Sequence, residues 1–198
     1  MQTFHLKPIL ITDLEALYKR ITVDFPLGEY PPIEAMQSQF RSGAHKGFFL
    51  ISDSNEEVSY AICSVSESTG YVLLSLLAVD VKHRSVGIGE RTVLELCDRY
   101  KTMHGIIVEV EIPERAKTED DLLIRQKRIA FYESLGFELI PGITYAIWDI
   151  PMYLMAKPLS EPVPNFQQNV CEIMHTIYLN LMGNRFIHKL VCGVEVTD

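Results

Sequence analysis

Two stretches of this sequence gather residue types that could do chemistry. The first is "LLAVDVKHRSVGIGERTVLELCDRY", residues 76–100, where an apolar run passes through Lys82, His83 and Arg84 to Gly87 and Gly89 and then into a helical pattern. Glycines between a buried strand and the first turn of a helix leave the helix's unpaired N–H groups open to close approach. Those donors, with the positive end of the helix dipole, bind phosphate. Lys82, His83, Arg84 and Arg91 bracket the glycines with only Glu90 opposing them, and they can neutralise charge that the amides do not. The competing explanation is a tight turn that needs glycine for its dihedrals alone.

The second stretch is "GIIVEVEIP", in which period-2 alternation sends Ile107, Glu109 and Glu111 to one face and Ile106, Val108 and Val110 to the other. A strand inside a helix-covered sheet should be apolar on both faces. Two carboxylates on one face are costly unless they are paired, hydrogen-bonded or open to a cleft. Arg125 and Arg128 are the candidates for a purely structural pairing.

The elements that must position these stretches follow from the periodicities. Residues 2–8 alternate weakly as a first strand. "TDLEALYKRIT" opens with an N-cap at Thr12 or Asp13 and repeats Leu14, Leu17 and Ile21 at helical spacing, and "PPIEAMQSQFRSG" places Ile33, Met36 and Phe40 on one side of a second short helix. Three strands follow, "GFFLISD", "VSYAICSVS" and "YVLLSLLAV", with links short enough for antiparallel neighbours. The helix after Gly89 carries Val93, Leu96, Cys97, Tyr100 and Met103, and the strand beyond this crossover should lie parallel to the third. Thr118 with Asp121 resembles a capping box, and Gly136 stands where a glycine should end that helix. Final strands are expected near 137–140 and 151–157. The fold class is α/β (α+β mixed), a mixed, mostly antiparallel sheet with helices on both faces. After "KPLSEPVP", a helix over 166–183 with Val170, Ile173, Met174, Ile177, Tyr178 and Leu181 on one face is expected to lie outside the main sheet. The domains read as 1–157 and an extension over 158–198, whose stripe suits a homodimer contact as well as a cap on the sheet.

Composition narrows the function. A formal charge of −8 argues against nucleic acid and anionic membranes as partners. No apolar run is long enough to cross a bilayer, and the N-terminus lacks the pattern of a signal peptide, which points to a cytoplasmic protein. Cys63, Cys97, Cys171 and Cys192 form no CxxC and read as buried reduced thiols, with neither a zinc site nor a disulfide framework. The histidines are scattered, and no metal is expected.

The string from Val79 to Gly89 resembles the acyl-CoA-binding motif R/Q-x-x-G-x-G/A of GNAT-type N-acetyltransferases, and Ala130 to Phe137 resembles that superfamily's second signature, A-x-x-Y-x-x-x-G-F. The element order fits as well, from residue 1 to about 157. The resemblance implies a GNAT-like fold and acetyl-CoA as the acyl donor. Its pyrophosphate would rest on the loop of Arg84, Ser85, Val86, Gly87, Ile88, Gly89 and Glu90, and its pantetheine would run along Leu77 and Val79. It implies that Tyr132 protonates the leaving thiolate, for which a phenol has suitable acidity. The base is Glu109 or Glu111, with Glu109 preferred for its depth in the strand, because "YVLLSLLAV" offers only Ser75 where many members carry a glutamate. The asparagine usual seven residues before the tyrosine is replaced by Arg125, and residues 113–127 form an insertion, so contacts from that loop do not carry over. The superfamily's acceptor loop corresponds to "VDFPLGEYPP", whose Phe25, Glu29 and Tyr30 suit an amine carried by a small molecule or a protein. A catalytically silent acyl-CoA sensor or scaffold is the alternative.

Overall fold

The computed structural model describes residues 3–160 and 166–194. The chain divides into two compact units, one running to Val65 and adding Ser75–Leu96, the other comprising Ser66–Leu74 and the residues from Cys97 onward.

The first unit contains β1 (Phe4–Pro8), α1 (Leu14–Asp24), α2 (Ile33–Ser42), β2 (His45–Ser52), β3 (Glu57–Ser66), the end of β4 (Tyr71–Val79) and most of α3 (Ile88–Arg99), with strand order β1-β2-β3-β4. β1 and β3 each pair antiparallel with β2, whose register against β3 shifts between Leu50 and Ile51. Leu14, Leu17 and Ile21, spaced for one helical face, are buried with Met36 of α2 against Phe49, Ile51, Tyr60, Ile62 and Leu76. Each such burial is worth about 1.5–3 kcal/mol. Leu50 points to the opposite face, as alternation requires, and packs with Val58 and Ile88. Thus β2 is covered on both faces within this unit.

The second unit contains the start of β4, β5 (Gly105–Glu111), α4 (Glu119–Ser134), β6 (Glu138–Leu139), β7 (Ile143–Ile147), β8 (Ile150–Pro158), α5 (Phe166–Phe186) and β9 (Leu190–Val194). The order is β4-β5-β8-β7-β9, with β6 beside β8. β5 runs parallel to β4, as the crossover predicted, and the other pairings are antiparallel. Thr118 caps α4, its Oγ1 accepting from Asp121 N at 3.1 Å, and Glu119, Asp120 and Asp121 place negative charge at the positive end of the dipole. Gly136, with φ of 81°, ends the helix. The insertion is therefore ordered: a short 3-10 turn over Pro113–Arg115 and then the first half of α4.

Two features differ from expectation. β7 turns into β8 through Trp148 and Asp149, both left-handed (φ 52° and 65°), a two-residue turn without the glycine that normally announces it. The C-terminal segment does not stay outside the sheet, since β9 pairs with β7 from Ile143↔Val194 to Ile147↔Leu190. The apolar stripe of α5 is used within the chain, where Val170, Ile173, Met174, Ile177 and Tyr178 pack on Tyr71, Leu73, Ile107, Tyr145 and Leu154. Residues 161–165 of the expected link and 195–198 of the tail lie outside the described residues.

The reading of four reduced thiols is corrected. Cys171 of α5 and Cys192 of β9 form a disulfide, with Cα atoms 5.3 Å apart, while Cys63 and Cys97 are free. Sequence spacing could not reveal it, because β9 brings back a cysteine 21 residues away. Such bonds persist mainly in oxidising surroundings, which sets this one against the cytoplasmic expectation. No helix of the described residues is long and apolar enough to cross a membrane. Closing a loop of this length destabilises the unfolded chain by about 3 kcal/mol, so Cys192→Ser should lower the urea unfolding free energy by about that much, and with it the midpoint. Identical midpoints for the variant and the oxidised parent would contradict a stabilising crosslink.

Candidate functional site

The end of β4 prepares the glycine turn. Leu76 and Ala78 are buried in the core while Ser75, Leu77 and Val79 are half-exposed, so one face of the strand opens towards its C-terminus. Asp80 then accepts from Lys82 N at 3.0 Å and starts a 3-10 turn over Val81–His83. Arg84 to Gly87 are exposed, with Ser85 (φ 64°) and Gly87 (φ 85°) both left-handed. That conformation costs a non-glycine residue about 1–3 kcal/mol, and glycine far less. A side chain at Gly87 would meet nothing within 4 Å, so the dihedral requires the glycine and the space before it is open. Arg91 N donates to Gly87 O at 2.9 Å, which leaves the amides of Ile88, Gly89 and Glu90 ahead of the helix's own acceptors. Gly89 lies inside the first turn of α3 rather than before it. A cavity of about 230 Å3 lies here, lined by Phe4, Val58, His83, Gly87, Ile88 and Arg91.

The basic residues are less free than their sequence context suggested. Arg84 donates through Nε to Val79 O and through Nη2 to Asp24 Oδ1, both at 3.0 Å, and Asp24 Oδ2 accepts from Tyr60 OH at 3.0 Å. His83 faces Glu56 at 3.2 Å, and Arg91 pairs with Glu95. Glu90 is therefore not the only opposing charge; Asp24 at the end of α1, Glu56 in the turn between β2 and β3, and Glu95 one helical turn along α3 are the others. Burial and the Asp24 carboxylate hold the Tyr60 phenol well above its usual pKa, so it stays a neutral donor to Asp24. Of the residues expected to border an acceptor, Phe25 and Tyr30 pack on the α1–α2 core, Tyr30 edge-on to Tyr18 at 5.7 Å, and Glu29 N donates to Pro26 O.

In the second unit the two strand carboxylates have different surroundings. Glu111 pairs with Arg128 of α4, one of the two arginines weighed as structural partners for the strand carboxylates. Arg125 instead donates to Asp121 Oδ1 (2.9 Å) and to Ile112 O (2.8 Å). Glu109 has no cationic partner among the described residues; its carboxylate accepts from Tyr145 OH and from Tyr178 OH, the latter 2.8 Å from Oε1 and 3.0 Å from Oε2. Enclosure raises its pKa above the usual carboxylate value, and the two phenol bonds pull the other way. Both phenols are themselves pushed well up, by burial and by the carboxylate. Tyr132 is buried in α4, its ring edge-on to Phe131 (5.1 Å) and Phe137 (5.2 Å). The sequence marks Glu109, Glu111 and Tyr132 as site candidates but neither Tyr145 nor Tyr178. Tyr178 was hidden in an apolar stripe, and Tyr145 lay in a strand that was not anticipated.

Ser75, the polar residue of β4, belongs to a chain of hydrogen bonds: Ser75 Oγ to Ser64 Oγ at 3.1 Å and Ser64 Oγ to His45 Nδ1 at 3.0 Å. Among the described residues no three His, Cys, Asp or Glu side chains gather as metal ligands.

Residues 44–139 match the family model for an acetyltransferase (GNAT) domain. No curated protein matches the sequence. Among solved structures, the chain is similar to a protein assigned to the GNAT acetyltransferase family from Bacteroides thetaiotaomicron, at 23% identity and a TM-score of 0.72, over 90% of this chain and 98% of that one. The ribosomal-protein-S18-alanine N-acetyltransferase of Escherichia coli matches at 24% identity and TM-score 0.55, over 83% of this chain and 98% of its own. A GNAT-superfamily phosphinothricin acetyltransferase from Sinorhizobium meliloti, solved with acetyl-CoA, matches at 18% and 0.55, over 82% and 95%. At these identities the likeness is one of fold.

Burial pushes the His45 ring down to about 4. An unfolded histidine titrates near pH 6.5, so between these values the unfolded chain binds a proton that the folded chain does not, and stability falls as pH falls through that window. The contribution, complete above about pH 6.5, amounts to about 3 kcal/mol and is lost by about pH 4. Urea unfolding across this range should show that loss, and His45→Gln should lack it. The same pH dependence in both proteins would refute the assignment to His45.

Proposed function

With residues 44–139 carrying a GNAT acetyltransferase domain, we propose that the chain is an N-acetyltransferase that moves an acetyl group from acetyl-CoA to a primary amine by direct attack in a ternary complex. The observation that carries this reading is the open left-handed turn at Gly87, set against the unpaired amides that begin α3. The amides from Ser85 to Glu90 hold the pyrophosphate, Arg84 is kept at the loop's edge by Asp24, and pantetheine runs along Leu77 and Val79 on the half-exposed face of β4. The phosphinothricin acetyltransferase solved with acetyl-CoA supports the choice of donor. Residues 1–157 are the acyltransferase domain and 158–198 its C-terminal extension.

Acetyl transfer requires a neutral amine, formation of a C–N bond at the thioester carbonyl, and departure of the thiolate with a proton. Glu109 is the base in preference to Glu111, because Arg128 already neutralises Glu111 and no cation meets Glu109 among the described residues. Tyr132 returns the proton to sulfur. Phe25, Glu29 and Tyr30 border the acceptor, an amine on a small molecule or a protein. One observation favours the second reading, a silent acyl-CoA-binding module: β4 offers Ser75 rather than a carboxylate.

Release of CoA thiol in the presence of a panel of primary amines decides between the two. Tyr132→Phe should lower kcat by about 10²–10⁴-fold with acetyl-CoA affinity unchanged. An unaltered kcat removes Tyr132 from the chemistry, and a folded parent that binds acetyl-CoA but acetylates no amine leaves the silent module.

A further inference from the structure

Glu109 lies on the face of β5 that also carries Ile107, and Ile107 packs among Leu73, Leu154, Ile173, Met174 and Ile177. An enclosed carboxylate in such surroundings calls either for a cation or for hydrogen bonds to its charged form. The structure supplies the second and, among the described residues, not the first. Oε1 accepts from Tyr145 OH and from Tyr178 OH at 2.8 Å, while Oε2 has only a share of Tyr178 OH at 3.0 Å. Each phenol has a single proton to donate and a carboxylate has about four acceptor sites, so most of the capacity of Oε2 is unused. Both phenols lie beyond the segment matched by the family model, which ends at residue 139. Tyr145 is on β7, and Tyr178 is on α5, which is fixed by its buried face and by the Cys171–Cys192 bond to β9.

We propose that Tyr178 is a positioning residue. Together with Tyr145 it holds the Glu109 carboxylate so that Oε2 is left to take the proton of a cationic primary amine, and the C-terminal helix thereby completes the acid–base site. The inference rests on the acetyl-transfer reading above. An ammonium group gives its proton to Oε2, directly or through one water, leaving a neutral amine and a carboxylic acid. The amine lone pair then forms the C–N bond and the C–S electrons leave on sulfur, which takes a proton from Tyr132; the second proton that nitrogen loses as the amide forms restores the Tyr132 phenol, and Glu109 releases its proton to solvent.

Few other groups bear on the titration of this carboxyl. Leu154 of β8 stands opposite Glu109 and is apolar. Tyr71 of β4 belongs to the same cluster, its phenol raised by burial and neutral. Glu111, two residues along β5, is neutralised by Arg128 of α4. Because each phenol bond favours the charged carboxylate, removing one must raise the pH at which Glu109 ionises.

The test compares the parent, Tyr178→Phe and Tyr145→Phe by the pH dependence of kcat/KM for a primary amine, and by the carboxyl 13C titration of glutamate-labelled protein, with the Glu109 signal assigned through Glu109→Gln. Each phenylalanine variant should move the acid limb and the 13C midpoint upward together by about one pH unit. If Tyr178→Phe does not fold, Tyr145→Phe carries the same reading. A merely structural phenol would lower the melting temperature, or kcat at every pH, without moving either midpoint, and that result overturns the proposal. Failure of the acetyl-transfer reading looks different: the parent then acetylates no amine, whereas failure of positioning alone leaves transfer intact and the acid limb in place.

Discussion

An α-helix cannot satisfy its own first amides, and the structure of residues 75–91 follows from where that shortfall is left. It would be expensive inside a core, so the chain carries the start of α3 to the surface through an exposed turn with two left-handed residues. Only glycine tolerates φ of 85° easily, and at Gly87 no neighbouring atom competes for the space in front of it. The turn is braced from beneath. Ile88 is buried against Leu50 and Val58, and Asp24 at the end of α1 joins Arg84 to Tyr60.

The second constraint is the separation of two carboxylates on one strand face. Glu111 and Glu109 are two residues apart on β5, yet one meets an arginine from α4 and the other two phenols. Pairing with Arg128 gives Glu111 a structural contact. Phenols support the charge of Glu109 only partly, so burial still holds its pKa up. This is the carboxylate to which the proposed function gives the role of base.

What was legible in the sequence was local. Leu14, Leu17 and Ile21 announced α1, Thr118 and Gly136 bounded α4, and the strand–glycine–helix string marked the turn, because each depends on residues within a few positions of one another. The partners of Arg84 and Glu109 were not legible, since Asp24 is 60 residues from Arg84 and Tyr178 is 69 from Glu109. β7 was missed because Trp148 and Asp149 adopt left-handed conformations that their types do not signal. Missing β7 meant missing β9, which pairs with it, and with β9 the disulfide. Errors of this kind propagate along long-range pairings, whereas local signals stand or fall singly.

In the proposed function the open amides after β4 receive the pyrophosphate of acetyl-CoA. Calorimetric titration of acetyl-CoA into the parent protein and into Gly87→Glu, with ATP as a control ligand, tests it most directly. Saturable one-site binding in the micromolar range, much tighter than ATP and lost in a variant that still folds, is expected. A folded parent that does not bind acetyl-CoA would contradict it and would reduce the turn at Gly87 to a feature of the backbone alone.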